Sequence, residues 1–237
     1  MSASIRTFHA GPHSLAVWER VRPILEEIEG LEFLDQLAQG SLDARAFVQY
    51  ILQDGIYLEG YSRAMSLLAA RAPEQEEARF WNRSSADAVE METVMQADLL
   101  KDDRFAGFAQ ELAPGGVAKA SPTTLGYVSY LVATAATQPY ATGVAGVLPC
   151  FWVYAHMGKV LVERAGDLTD NPYAAWVEAY DSEEFDSAVD QAVALYEKAA
   201  EATTEAGRKQ MAEAFEQATI YELHFWATAA RFQDWSL

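Results

Sequence analysis

Apolar residues recur three and four positions apart along most of the chain, which is the spacing of residues on one face of an α-helix. Alternating runs of β-branched residues bounded by hairpin turns, which would indicate strands, are not evident. The spacing therefore predicts an all-α protein. The predicted helices cover residues 15–25, 33–40, 41–72, 73–100, 121–138, 140–165, 172–180, 182–203 and 205–235.

Proline, glycine and serine mark the connections between these helices. Pro114 and the two glycines after it break the chain, and Pro139 separates the next two helices. Ser121 followed by Pro122 is a favourable helix start, with a hydroxyl cap and then a fixed φ. The connections are short, as in an antiparallel helical bundle. We expect a single domain over residues 1–237, which is long enough for one substantial core.

The charge of the chain excludes some partners. It has 35 acidic and 17 basic side chains and a formal charge of −18, which repels nucleic acid and anionic bilayers. No run of about 18 apolar residues occurs, and residues 1–12 lack the apolar segment of a signal peptide, so we expect a soluble, cytoplasmic protein. The histidines are scattered and no Glu-x-x-His pair of a di-iron bundle occurs, so no metal site is predicted.

Asp54 lies within an aromatic stripe of the predicted helix 41–72. The stripe consists of Tyr50, Asp54, Tyr57 and Tyr61, spaced four, three and four residues apart on one helical face. One interpretation is a core stripe with Asp54 at its wet edge. The other is a pocket wall, in which the rings hold a flat ligand and Asp54 pairs with its N–H groups. The spacing leaves both interpretations open.

Glu222 is a second acidic candidate, on the last predicted helix. Its neighbours at helical spacing are the apolar residues Phe215, Ala218, Phe225 and Trp226. We therefore expect Glu222 to be largely buried, where a carboxyl group must be protonated, hydrogen-bonded or matched to a ligand. A hydrogen bond to a neighbouring helix is one interpretation, and a proton donor with a raised pKa is the other.

Cys150 is the only cysteine, so it can form neither an internal disulfide nor a thiolate zinc site. A thiol in an apolar helix is commonly inert packing. Two neighbours favour a reactive thiol instead. Pro149 removes a backbone hydrogen bond and is expected to kink the helix, while Gly143 and Gly146 leave room beside the sulfur.

Five motifs, in order along the chain, resemble those of the TenA/thiaminase II family. The most specific is Val147-Leu-Pro-Cys150-Phe-Trp-Val-Tyr154, followed by Gly158. The others are Gln53-Asp54-x-x-Tyr57-Leu58, Pro122-Thr-Thr-Leu-Gly-Tyr127-Val-Ser-Tyr130, Tyr173-x-x-Trp176-x-x-x-Tyr180 and Tyr221-Glu222-x-x-Phe225-Trp226. Together they extend over residues 53–226, and their shared order makes the resemblance far more specific than any one motif.

The resemblance implies a haem-oxygenase-like all-α bundle, a homotetramer and no metal or organic cofactor. The implied reaction is hydrolysis of 4-amino-5-aminomethyl-2-methylpyrimidine to the hydroxymethylpyrimidine and ammonia, with slower cleavage of thiamin. Cys150 would place the chain in the Cys-containing branch and act as the nucleophile. Glu222 and Asp54 would be the acid and the anchor of the aminopyrimidine edge. Four tyrosines would bind the pyrimidine ring: Tyr57, Tyr127, Tyr154 and Tyr180.

The sequence departs from the family pattern at two positions. His156 stands where members often carry Glu, and a His common in the family is missing near Gln96. Both departures put the leaving-group preference in doubt. Two other functions are open: a non-catalytic pyrimidine-binding or regulatory protein, for which Cys150 would be unreactive, and a haem- or quinone-handling relative, for which a ligand such as His13 would have to face the pocket.

Overall fold

The structure is a computed structural model that describes residue 8 and residues 11–91, 100–180 and 182–235. Within these residues every regular element is an α-helix or a short 3₁₀ turn, which confirms the predicted all-α class. The helices are α1 (Pro12–Arg20), α2 (Arg22–Glu29), α3 (Glu32–Ala38), α4 (Ala44–Arg71), α5 (Gln75–Met91), α6 (Ala106–Leu112), α7 (Pro122–Thr137), α8 (Tyr140–Ala165), α9 (Ala174–Ala179), α10 (Glu183–Ala202) and α11 (Glu205–Ala229).

The helix starts follow the capping signals of the sequence. The Ser121 hydroxyl accepts a hydrogen bond from the Thr124 N–H at 3.1 Å, and Pro122 begins α7. The Ser182 hydroxyl accepts one from the Phe185 N–H at 3.2 Å at the start of α10. Helix α8 spans the predicted residues 140–165 and continues through Pro149.

Several predicted helices have different bounds in the structure. The predicted helix 15–25 is divided between α1 and α2 in the structure. The division has a physical reason, because Pro23 cannot donate the backbone hydrogen bond that would join the two helices. The last helix ends at Ala229 rather than near residue 235, and Phe232 beyond it has a positive φ of 47°. Helix α5 is described to residue 91, so part of the predicted segment 73–100 lies outside the described residues. Helix α6 was not predicted.

Contacts between residues divide the chain into two compact units. Unit 1 comprises residues 1–41 and 141–223, and unit 2 comprises residues 42–140 and 224–237. The three boundaries fall between α3 and α4, at the beginning of α8 and within α11. The expected single domain over residues 1–237 stays a prediction.

Unit 1 has an aromatic core around α8. The rings of Trp18 and Trp152 stack with centroids 4.4 Å apart, and Phe215 contacts Trp152 edge-on at 6.3 Å. Among the described residues, α8 is the one helix long and apolar enough to cross a membrane by length and composition, but 83% of its apolar window is buried inside the protein. Such burial is typical of a core helix.

Unit 2 is held together by hydrogen bonds as well as apolar packing. The Arg71 guanidinium donates to the carbonyl oxygens of Ala135 and Gln138 at the end of α7. The Trp81 indole N–H donates to the Tyr140 hydroxyl at 2.8 Å, and that hydroxyl donates to Glu77 at 2.7 Å. These contacts fix α4 and α5 to the junction that follows α7.

Candidate active site

Cys150 lies near the middle of α8 and is half-buried, whereas its neighbours Pro149 and Phe151 are buried. The thiol is therefore on the part of the helix surface that keeps some access to solvent. Access of this kind is required of a nucleophile and is not required of a packing residue. The predicted kink at Pro149 and the predicted room at Gly143 and Gly146 stay predictions.

Tyr154 and Tyr180, both in unit 1, form a ring pair. Tyr154 lies one helical turn after Cys150, so the two side chains share a face of α8. Its ring centroid is 5.0 Å from that of Tyr180, and the ring of Tyr180 also contacts Trp176 at 4.9 Å and Phe185 at 5.5 Å. The structure thus brings together two of the predicted substrate-binding tyrosines.

Gly158 allows the Tyr180 backbone to approach α8. A Cβ atom at this position would lie 2.5 Å from the Tyr180 carbonyl oxygen and 2.8 Å from its carbonyl carbon, closer than real Cβ atoms come. Gly158 ends the motif that contains Cys150. A side chain at this position would collide with the Tyr180 backbone, which explains why the residue is a glycine.

Tyr57 and Tyr127, in unit 2, form a second ring pair. Their centroids are 4.9 Å apart, and Tyr57 also stacks on Tyr61 at 5.4 Å. The ring of Phe225 lies 5.5 Å from Tyr57 and 5.7 Å from Tyr50. Sequence reasoning did not include Phe225 among the site residues, although it belongs to the last motif, because a motif does not show which distant ring its side chain meets.

Asp54 and Glu222 are both almost fully buried, with exposed fractions of 2% and 1%. The expected burial of Glu222 is confirmed. Its neighbours along α11, Phe215, Ala218 and Trp226, have no exposed surface. A buried carboxyl group strongly prefers hydrogen bonds or an opposite charge, so two such groups in the motif positions are candidates for contact with a polar ligand. Their predicted placement on opposite sides of Cys150 stays a prediction.

Gln53, the residue before Asp54, is a positioning residue that sequence reasoning also missed. Its side-chain oxygen accepts hydrogen bonds from the Ser121 N–H at 2.8 Å and the Thr124 hydroxyl at 2.7 Å. Its amide nitrogen donates to the Lys119 carbonyl oxygen at 2.9 Å. The three bonds attach the start of α7 to α4. The Gln-Asp pair in the motif was the available signal.

His156, the first departure from the family pattern, has a defined contact within unit 1. Its Nε2 lies 2.7 Å from Glu29 Oε1, and its ring meets Trp18 edge-on at 5.6 Å. It therefore connects α8 to α2. The second departure, at Gln96, lies outside the described residues. The backbone N–H of His13 donates to Glu197 at 3.1 Å. The role of the His13 side chain as a haem ligand, which the third alternative requires, stays untested.

Within the parts of the chain that the structure describes, no three His, Cys, Asp or Glu side chains gather as a metal site. The described residues that could take part in a reaction are a half-buried thiol, two buried carboxyl groups and the paired tyrosine rings.

Comparisons with known proteins give one family. The sequence model of the TENA/THI-4/PQQC family matches residues 18–232. The chain is 34% identical over 228 residues to the "Thiamine biosynthesis multifunctional protein ThiED" of Corynebacterium glutamicum, covering 96% of the chain but 28% of that longer protein. It is 28% identical to the "Aminopyrimidine aminohydrolase" of Bacillus subtilis, over 86% of the chain and 84% of that protein.

Solved structures give the fold. A "TenA homologue protein from P.horikoshii OT3" superposes with a TM-score of 0.80 at 24% identity, covering 92% of the chain and 98% of that protein. A domain from Shewanella denitrificans described as having a heme oxygenase-like fold superposes with a TM-score of 0.71 at 12% identity, covering 92% of each chain. The fold is haem-oxygenase-like, as the sequence motifs implied.

Proposed function

The chain belongs to the TENA/THI-4/PQQC family, and on that premise we propose that it is a hydrolase of the TenA type, an aminopyrimidine aminohydrolase. The observation that carries the proposal is the half-buried Cys150, one helical turn before the Tyr154–Tyr180 ring pair and within the most specific motif. The name of the Bacillus subtilis relative, which aligns over most of both proteins, supports the same reaction.

The proposed substrate is 4-amino-5-aminomethyl-2-methylpyrimidine, with thiamin as a slower one. The exocyclic methylene carbon is a poor electrophile by itself. When the Cys150 thiolate adds to C6, a C–S bond forms, ring electrons move outward and the C–N bond at the methylene carbon breaks, so that the amino group leaves as ammonia with the proton that the thiol had released. Water then adds to the methylene carbon and gives up a proton, the C–S bond breaks and the aromatic ring is restored. The net change replaces the amino group by a hydroxyl group.

The two buried carboxyl groups are proposed to have different tasks. Thiolate addition places negative charge on the ring nitrogens, and a protonated Glu222 would stabilise it. The burial of Glu222 would favour its neutral, proton-donating form. An ionised Asp54 would bind the amino edge of the pyrimidine and help to ionise Cys150. Four tyrosines would hold the ring: Tyr57, Tyr127, Tyr154 and Tyr180.

The proposal extends to the setting of the enzyme. We propose that it acts in thiamin salvage in the cytoplasm, as a homotetramer and without a metal or organic cofactor. The relationship to the multifunctional ThiED protein supports a role in thiamin metabolism, but the chain spans about 28% of that protein's length, so its other activities are not transferred.

A direct test incubates the purified protein with the aminomethylpyrimidine and, separately, with thiamin, and measures hydroxymethylpyrimidine and ammonia. The expected result is turnover of both, faster for the aminomethylpyrimidine. Binding of the pyrimidine without turnover would reject the proposal and support the non-catalytic alternative. Visible absorbance from a bound haem would support the third alternative.

A further inference from the structure

Helices α4 and α7 approach each other closely at Gly60. A Cβ atom on Gly60 would lie 2.3 Å from Cγ1 of Val128, 2.8 Å from its Cγ2 and 3.0 Å from its Cβ. Real Cβ atoms essentially never come within 3.0 Å of such neighbours. The close approach therefore depends on the missing side chain of Gly60.

This contact adjoins the Tyr57–Tyr127 ring pair. Gly60 lies three residues after Tyr57, on the same face of α4, and Val128 directly follows Tyr127 on α7. Both tyrosines are buried, with ring centroids 4.9 Å apart. Because Tyr57 and Tyr127 project from the two helices that meet at Gly60, a change in helix separation there changes the distance between the backbones that carry the rings.

We propose that Gly60 is a positioning residue for substrate binding, which acts by letting α4 approach Val128 so that Tyr57 and Tyr127 form one continuous wall. The inference rests on the proposed function, because these two tyrosines are proposed there to bind the aminopyrimidine ring. An added methyl group would have to gain about 1 Å to reach ordinary van der Waals contact. A displacement of about 1 Å is large enough to disturb how a binding site positions its substrate.

Helix propensity alone predicts that replacing Gly60 by alanine is favourable, whereas the proposed role predicts that it is harmful. Replacing an interior helical glycine by alanine stabilises a helix by roughly 1 kcal/mol when the site has room. Gly107 provides the matched control: it also lies in a helix, α6, and a Cβ there would meet no atom of the described residues within 4 Å. Gly107→Ala should leave both kinetic constants unchanged.

The decisive experiment is a double-mutant cycle of Gly60→Ala, Val128→Ala and the double variant, with KM, kcat and melting temperature measured for each. Tyrosine walls contact the ring in the ground state and the transition state alike, so their displacement raises KM more than it lowers kcat. We expect KM to rise about tenfold in Gly60→Ala, which corresponds to about 1.4 kcal/mol of lost binding free energy. Val128→Ala removes both Cγ atoms, so the double variant should return to within about threefold of Val128→Ala alone.

A merely structural role for Gly60 gives a different pattern. Lower stability reduces the folded fraction and hence the apparent kcat, but leaves KM unchanged. An unchanged KM in Gly60→Ala, or an increase that Val128→Ala does not reverse, would overturn the proposal.

A crystal structure of Gly60→Ala separates this inference from the proposed function. The expected result is a Tyr57–Tyr127 centroid separation larger than 4.9 Å, restored in the double variant. Absence of turnover in the wild-type protein would reject the proposed reaction, and the ring separation would still decide the role of Gly60. If Gly60→Ala does not fold while the double variant does, the steric origin of the effect is supported; if neither folds, the positioning role is rejected.

Discussion

Replacing Gln53 tests how the site is held together. This side chain has an exposed fraction of 7% and makes three hydrogen bonds to the segment that starts α7. Each buried hydrogen bond contributes about 1 kcal/mol net, and each buried partner left without one costs about 1–3 kcal/mol. Gln53→Ala leaves the Ser121 N–H, the Thr124 hydroxyl and the Lys119 carbonyl oxygen without this partner. We expect a loss of about 3 kcal/mol in the free energy of unfolding.

Gln53→Glu removes the hydrogen bond that the Gln53 side chain donates and keeps the two that its oxygen accepts. The introduced carboxylate still accepts from Ser121 and Thr124 but meets the Lys119 carbonyl oxygen with repulsion. Protonation restores a donor, so the pKa of the introduced carboxyl group is raised in the folded protein above its value of about 4.3 in the unfolded chain. Its contribution to stability is therefore full below the unfolded pKa and is lost as pH rises through the folded pKa.

The assay is urea unfolding of wild type and both variants between pH 4 and pH 8, with Gln49→Ala as the control for loss of a half-buried glutamine one turn earlier on α4. The deficit of Gln53→Glu relative to wild type should shrink as pH falls, and that of Gln53→Ala should stay constant. A loss below about 1 kcal/mol in Gln53→Ala, or a pH-independent deficit in Gln53→Glu, would show that the Gln53 hydrogen bonds do not stabilise the start of α7 in this way.

Three further predictions concern the carboxyl groups and assembly. Asp54→Asn should impair substrate binding and rate together, while Glu222→Gln, which loses a transferable proton, should lower mainly kcat; severe loss of affinity in Glu222→Gln with intact single-turnover chemistry would contradict this. Burial raises the pKa of Glu197, but hydrogen bonds from Ser14 and His13 outweigh burial and hold the pKa below the usual 4.5. The stability that the ionised Glu197 contributes is therefore present above pH 4.5 and is lost as pH falls through the lower folded pKa. Glu197→Gln should therefore destabilise the protein at pH 7, by at most about 1 kcal/mol because solvent screens this partly exposed group, and the cost should shrink as pH falls below 4.5. Urea unfolding measures both, and a cost that does not change with pH would exclude this explanation. Light scattering at micromolar concentration should give about four times the monomer mass of 26.2 kDa, and a monomer mass would reject the tetramer.

The sequence predicted helices accurately where a buried stripe and a breaking residue coincide. Helix α8 was predicted at residues 140–165 because its apolar stretch lies between Pro139 and Gly166. Helix α6 was missed because none of its residues is buried, so it has no apolar stripe. The break between α1 and α2 was missed because apolar spacing continues across Pro23, although the proline itself was a visible signal.

The end of α11 depends on distant contacts. Apolar residues continue to Trp235, but the chain turns at Phe232, whose ring lies 4.0 Å from the Arg45 guanidinium carbon. The Gln233 side-chain oxygen then accepts from the Thr123 N–H and hydroxyl. These partners are more than a hundred residues away in sequence, and periodicity contains no information about them.

The same limit applies to the candidate site. Motifs identified the tyrosines and carboxyl groups one by one, since each has a local sequence signature. Other contacts arise from helix packing and appear only in the structure. They are the ring contacts of Tyr57 with Tyr127 and Phe225, and the hydrogen bonds of Gln53 to the start of α7.

The central claim is that Cys150 is the nucleophile, and Cys150→Ser tests it most directly. A serine hydroxyl has nearly the same size but is a far weaker nucleophile near neutral pH, so the pocket should be preserved while the chemistry is lost. The measurement is turnover of the aminomethylpyrimidine together with its dissociation constant by calorimetry, for wild type and variant. We expect Cys150→Ser to bind the pyrimidine with little change in affinity and to form no hydroxymethylpyrimidine. Turnover by Cys150→Ser close to that of the wild-type protein would contradict it.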